Sequence, residues 1–176
     1  MRIIAGRLGG RNFSSPRGYH THPMSDKVRG ALFNALGDIS GLTVLDAFAG
    51  SGALSFEAIS RGTTHALAID ANKSAQTAIS ENIKSLHLSS RVKLVKASAS
   101  AWLSTTNETF DIVLCDPPYD DLQTELLQRL ADRTKRNGLV VFSLPPNANF
   151  VLSSSFQLLA TKFYGDAQLV FYRRIA

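Results

Sequence analysis

The chain has 176 residues, 44% of them hydrophobic and 19% charged, which suits one globular domain with its own core and excludes disorder as the main state. Against 14 Asp and Glu stand 19 Lys and Arg, a formal charge of +5. One cysteine, Cys115, excludes an internal disulfide, and no apolar run approaches the roughly 18 residues of a membrane span.

The charge is concentrated at the start. Residues 1–36 hold six basic groups, Arg2, Arg7, Arg11, Arg17, Lys27 and Arg29, against the single acid Asp26, and the other 140 residues balance. Polyanions bind such patches because each neutralised phosphate releases condensed counterions, so RNA or DNA is the expected partner of this segment. Short apolar pairs between glycines predict an extended arm or small hairpin over residues 2–13. No secretory signal follows Arg2 and Arg7, so a cytoplasmic location is expected. His20, His22, His65 and His87 are not spaced with Cys115 as a zinc site would be, so no structural metal is expected.

Ser25 and Asp26 can cap a helix carrying Val28, Ala31, Leu32 and Ala35 on one face and ending near Gly37. From residue 43 short apolar strands alternate with helical stretches. Strands are predicted at 43–47, 65–69, 92–95, 110–115 and 139–143. Helices are predicted at 53–61, 73–86, 100–103 and 122–135, the last stopped by Asn137-Gly138. Strands separated by helices pair in parallel through right-handed crossovers. The tail departs from this rhythm: residues 156–164 and 168–173 read as two strands joined at Gly165-Asp166 with no helix between. The expected fold is α/β, a doubly wound, mostly parallel, seven-stranded Rossmann-like sheet with an antiparallel last strand. The expected organisation is a basic segment over 1–24 followed by one domain over 25–176.

Two loops at carboxyl ends of strands carry the chemistry, where open parallel sheets bind ligands. The first reads Asp46-Ala47-Phe48-Ala49-Gly50-Ser51-Gly52. A nucleoside triphosphate would want a Lys and Ser/Thr pair after Gly52, where Ala53 and Leu54 stand. A dinucleotide would want a third glycine where Ser55 stands, and Asp46 would face its pyrophosphate. S-adenosylmethionine has no phosphate, carries a sulfonium and an ammonium, and suits a carboxylate at position 46. Asp70, 18 residues after Gly52, can accept both ribose hydroxyls. The plainer alternative is that the glycines only make a turn and Asp70 only caps the next helix.

The second loop is Asp116-Pro117-Pro118-Tyr119. The carboxylate of Asp116 and the carbonyl of Pro117 can accept two N–H groups of an exocyclic amine while Tyr119 stacks on the base. Such an amine is a poor nucleophile because its lone pair is delocalised into the ring. Holding both hydrogens to one side frees the lone pair toward an incoming methyl group, with Asp116 or water taking the proton. No metal is needed.

These residues resemble class I S-adenosylmethionine-dependent methyltransferases, and more closely the RsmD family, which methylates the exocyclic N2 of one guanine in small-subunit (16S) ribosomal RNA. The likeness extends over Arg2-Ile3-Ile4-Ala5-Gly6, Pro23 to Arg29, Leu45 to Leu54 and Asp116 to Tyr119. It implies cofactor contacts from Asp46, Phe48, Gly50, Ser51, Gly52, Asp70, Ser98 and Asp116, and base contacts from Asp116, Pro117 and Tyr119. It also implies RNA contacts from Arg2, Arg7, Arg11, Arg17, His22, Lys27 and Arg29. The partner would be ribosomal RNA, free or in an assembling 30S particle, and the protein a monomer. Three positions depart from the family: Ser98 where an acid is common, His22 for an Arg, and Gly30 for a Glu. N6-methylation of adenine obeys the same logic and stays open on the chemistry alone. A nicotinamide-dependent oxidoreductase and a non-enzymatic RNA-binding protein are the readings from other classes.

Overall fold

The computed structural model describes residues 1–18 and 23–176. Its order is α1 (Asp26–Leu36), β1 (Thr43–Asp46), α2 (Ala53–Ser60), β2 (His65–Ile69), α3 (Lys73–Ser85), β3 (Val92–Val95), α4 (Ala99–Leu103), β4 (Phe110–Cys115), α5 (Thr124–Ala131), β5 (Thr134–Leu144), β6 (Phe156–Tyr164) and β7 (Ala167–Arg174). The seven strands form one sheet in the order β3-β2-β1-β4-β5-β7-β6. Pairs from β3 through β5 are parallel, and β7 runs antiparallel to both β5 and β6. The strand order reverses between β1 and β4, so the loops after these two strands flank the switch point where such sheets open a crevice.

The strands are apolar on both sides because helices cover both faces. One core joins Val44, Ala68, Ile112, Leu114 and Val141 to Leu32 and Phe33 of α1, Phe56 and Ile59 of α2, and Ile79 and Ile83 of α3. The other joins Leu45, Ile69, Val113, Val140 and Phe142 to Trp102 and Leu103 of α4 and Leu127 and Leu130 of α5. Adjacent residues of each strand thus enter opposite cores, as the two-residue repeat requires.

The first 18 residues belong to this body. Residues Ile3 and Phe13 are buried in the first core, with the Phe13 ring edge-on to Phe56 at 5.3 Å. A tight antiparallel return brings the Ile3 N–H to the Arg11 carbonyl at 2.9 Å and the Phe13 N–H to the Met1 carbonyl at 2.9 Å, with a bridge between Arg2 and Asn12.

The α5 and β5 boundaries differ from the sequence expectation, with β5 beginning at Thr134 rather than 139. Helix α5 ends at Ala131 rather than near 135, and Asn137-Gly138 lies inside β5 rather than stopping a helix. Phe110 pairs with Thr134 and Ile112 with Leu139, so β5 bulges over the intervening residues. Asn137 takes a positive φ of 67°, and a Cβ on Gly138 would stand 2.6 Å from the Asp111 carbonyl oxygen. An Asn-Gly pair signals a left-handed residue and a close approach, which a bulge needs as much as a helix end does.

Candidate active site

Strand β1 delivers Asp46 into the interior, where its carboxylate is fully buried. Oδ2 accepts the Ser55 backbone N–H at 3.1 Å and the Ser55 hydroxyl at 2.8 Å, while Oδ1 has no partner. Burial pushes this carboxyl up to about 7; the Ser55 hydroxyl opposes that rise, and the like charges of Asp116 and Asp70 add to it. The loop then turns sharply into α2, with the Gly52 N–H donating to the Ala49 carbonyl at 2.7 Å. Gly52 sits at φ 85°, and a Cβ there would fall 2.6 Å from the Phe56 ring, so only glycine fits.

Asp70 follows β2 and ties the two loops together. Its Oδ2 accepts the Gly50 N–H at 2.8 Å and its Oδ1 the Asn72 N–H at 2.8 Å. Burial raises its carboxyl, and these two backbone donors counter the rise. Each oxygen has received one hydrogen bond and keeps capacity for another, so the side chain that braces the glycine loop can still accept two hydroxyls. The cap of α3 is Asn72, whose side chain accepts from the Ala75 N–H. Asp70 is therefore not that cap.

After β4, Asp116 is partly buried and burial pushes its carboxyl up to about 6, opposed by the Ser143 hydroxyl. Pro117 is buried, whereas Tyr119 is 39% exposed and its hydroxyl lies 2.8 Å from Ser143 Oγ. Burial also raises the Tyr119 phenol, Ser143 opposes it, and Asp116 and Asp166 add negative charge.

One cavity of about 1040 Å³ is lined by Phe48, Gly50, Ser51, Asp70 and Ser98 from one side and by Asp116, Pro117 and Tyr119 from the other. It matches the upper size of small-molecule sites, which span about 300–1,000 Å³. The loops after β1 and β4 therefore open into the same space. Asp46 and Gly52 stand behind the wall: the first acts on the cavity through its charge, the second through the turn it allows. Ser98 caps α4, accepting the Ala101 N–H at 3.1 Å, which leaves its hydroxyl proton for a ligand. None of the ion pairs among the described residues involves Asp46, Asp70 or Asp116. Asp70, Asp116, Asp120, Asp121 and Asp166 line the cavity with Asp46 behind its wall, against Arg29 as the one basic side chain of the lining among the described residues, and this excess of carboxylates favours a cationic guest.

The basic residues divide. Arg2, Arg7, Arg11, Arg17 and Lys27 are exposed, with Arg2 ion-paired to Asp26 at 3.1 Å. Arg29 corrects the expectation that it contacts RNA: it is wholly buried, and its Nη2 donates to the Arg2 carbonyl at 2.6 Å and to Asp26 at 3.1 Å. Its Nε lies 3.7 Å from the buried Glu57 carboxylate, so this guanidinium is held between Asp26 and Glu57 beside the cavity. His22 lies outside the described residues.

Several cavity residues were not named as site residues from the sequence. Met1, Pro16, Pro23 and Met24 bring the basic segment into the cavity wall, and Ser143 and Asp166 arrive from β5 and the β6–β7 turn. Only Ser143 had a local signal, a lone hydroxyl after Val140-Val141-Phe142 at the carboxyl end of a buried strand.

The family model described as "Conserved hypothetical protein 95" matches residues 1–173. The YlbH protein of Bacillus subtilis (strain 168) is 35% identical over 148 residues, 80% of each chain. "Ribosomal RNA small subunit methyltransferase D" of Escherichia coli (strain K12) is 32% identical over 139 residues, 78% of this chain and 68% of that protein. Among solved structures, the Escherichia coli protein yhhF superposes with a TM-score of 0.88 at 28% identity, covering 100% of this chain and 98% of that one.

Proposed function

The chain belongs to the family described as conserved hypothetical protein 95, and from that premise we propose that it methylates the exocyclic N2 amine of a guanine in small-subunit (16S) ribosomal RNA, using S-adenosylmethionine. The observation that carries the proposal is the cavity onto which both loops open, with five carboxylates in its lining and Asp46 behind its wall. Its relatives' names support ribosomal RNA as the substrate, and the RsmD name is consistent with guanine N2.

S-adenosylmethionine, when bound, supplies an electrophilic methyl group on a sulfonium centre. Asp70 offers its two remaining acceptor positions to the ribose hydroxyls, and Phe48, Gly50 and Ser51 line the space for the methionyl end. Asp46, behind them, has its carboxyl raised to about 7, so it is about half ionised at pH 7 and a bound cation draws it toward the charged form. Ser98 has a hydroxyl proton free to donate near the base of the cofactor.

On the opposite wall, the Asp116 carboxylate and the Pro117 carbonyl accept the two N–H groups of the target amine, and the exposed Tyr119 ring stacks on the guanine. With its carboxyl at about 6, Asp116 is ionised for most of the population at pH 7 and ready to accept. It, or water through it, takes the proton the amine sheds. Residues 1–24 form the RNA attachment surface, and residues 25–176 carry the catalytic site. The protein acts as a cytoplasmic monomer, on RNA that is free or held in an assembling 30S particle.

Incubation with methyl-labelled cofactor and small-subunit ribosomal RNA, followed by nucleoside analysis, is expected to yield N2-methylguanosine. Label in N6-methyladenosine, or none in RNA, overturns the assignment. The attachment surface has a separate test. Replacing Arg7, Arg11 and Arg17 together with glutamine is expected to reduce the log-log salt slope of RNA binding by about 2, since each single-strand phosphate contact contributes about 0.7. An unchanged slope in a salt titration removes these three residues from the interface.

A further inference from the structure

We propose that Asn82 is a positioning residue that joins the cofactor loop to the RNA-attachment segment, so that cofactor in the cavity strengthens RNA binding. The proposal rests on reading residues 1–24 as that attachment surface. Asn82 lies on α3 and is 2% exposed. Its Nδ2 donates to the Ser14 carbonyl at 2.9 Å and to the Ser51 carbonyl at 3.3 Å, and its Oδ1 accepts the Ser14 N–H at 2.9 Å. Both amide hydrogens are thereby committed, one to the basic segment and one to the glycine loop, which lie 68 and 31 positions away in sequence. None of these three bonds is made within α3.

Residues 14–17 form a strap pinned to α3 at both ends. The chain enters it from Phe13, which is buried in the first core. Asn82 holds Ser14, and the Ser74 hydroxyl, near the start of α3, donates to the Arg17 carbonyl at 2.6 Å. Between the pins, Ser15 and Pro16 line the cavity together with Ser51, while Arg17 is exposed. One side of the strap thus meets the space the cofactor fills, and its end presents a cation to phosphate. Asp70, Ala71 and Asn72, just before α3, line the same cavity, and Asp70 holds the glycine loop at Gly50.

A cofactor in the cavity packs against Ser51 and Pro16 and restricts the strap, an ordering cost that RNA then need not meet at Arg17. The effect is reciprocal: RNA on Arg17 favours the same arrangement and tightens the cofactor by the same factor. Asn82 carries it because its buried amide grips the strap and the glycine loop at once. Without that amide the two segments have no shared fastening on α3, and what one ligand orders no longer helps the other.

The test is the affinity for small-subunit ribosomal RNA with and without saturating S-adenosylhomocysteine, which fills the cofactor site without turnover. The proteins compared are the wild type, Asn82→Ala, Asn82→Asp and Ser74→Ala. The wild type is expected to bind RNA at least about fivefold tighter with S-adenosylhomocysteine present. Asn82→Ala and Asn82→Asp are expected to bring that ratio near unity, aspartate because it keeps the acceptor for Ser14 but has no hydrogen for either carbonyl. Ser74→Ala, at the exposed pin, is expected to lower the ratio by less. A merely structural role would weaken the two ligands separately and leave the ratio unchanged. A wild-type ratio near unity, or the full wild-type ratio in folded Asn82 variants, overturns the proposal. Should thermal melts show the Asn82 variants unfolded, the full wild-type ratio in Ser74→Ala overturns it. If the protein with Arg7, Arg11 and Arg17 replaced by glutamine binds RNA as the wild type does, the attachment surface beneath the proposal fails instead.

Discussion

Asp116→Ala is expected to reduce single-turnover methyl transfer by about 10²- to 10⁴-fold, the range associated with loss of a positioned acid–base group. The affinity for S-adenosylmethionine is expected to stay within about tenfold, because Asp70 and the glycine loop hold the other side of the cavity and are braced by each other. Alanine removes an acceptor of the amine protons and the group that receives the shed proton. It also removes a like charge from Asp46, whose carboxyl then titrates lower. Asp116→Asn retains an acceptor oxygen but cannot take the proton, so it should lose less than alanine if alignment matters more than proton transfer. Calorimetry with the cofactor and rapid-quench methylation of ribosomal RNA separate the two quantities. Normal turnover by Asp116→Ala would refute the assignment of the loop.

Glu57→Ala is expected to destabilise the protein by about 2–6 kcal/mol, because it strands two backbone donors at about 1–3 kcal/mol each and removes one of the two carboxylates beside a buried guanidinium. Glu57 lies on α2, wholly buried. It accepts the N–H groups of Ile4 at 2.9 Å and Ala5 at 3.2 Å and the Arg61 Nε at 2.8 Å, with Arg29 Nε at 3.7 Å. One carboxylate thus fastens the basic segment to α2 and balances a guanidinium that has no access to water. Truncation strands the two backbone donors and leaves Asp26, at 3.1 Å, as the remaining counter-ion of Arg29. Urea unfolding measures the loss, and adding Arg29→Met should recover part of it by removing a buried charge that has lost one of its two carboxylates. A change below about 1 kcal/mol would show that water replaces the carboxylate. The same link explains why the basic segment is part of the cavity wall: Met1, Pro16, Pro23 and Met24 reach the site because Glu57 and the buried Ile3 and Phe13 hold the segment down.

What could be read from the chain was local. Alternation of short apolar strands with helices announced the doubly wound sheet, and both ligand loops were visible as motifs because their chemistry is carried by consecutive residues. Asp46-to-Gly52 and Asp116-to-Tyr119 each occupy one strand end, so spacing alone marked them. Asn137-Gly138 was misread because a left-handed pair has the same appearance at a helix end and in a bulge; its pairing with β4 is a long-range fact.

Charge was legible as a count but not as a direction. Six basic residues near the start look alike in sequence, yet five are exposed and Arg29 is buried against Glu57, 28 positions away on another helix. Ser143 reached Tyr119 across 24 residues in the same way. The amino-acid order by itself determined the strand and helix rhythm, the two loops and the class of guest they suit, because these depend on neighbours along the chain. Tertiary structure alone decided that both loops share one cavity, that Asp46 acts from behind its wall, that the basic segment closes its side and that Ser143 tethers the aromatic ring. Those depend on which distant residues the sheet order makes adjacent, and burial and hydrogen bonding follow from that adjacency rather than from residue type.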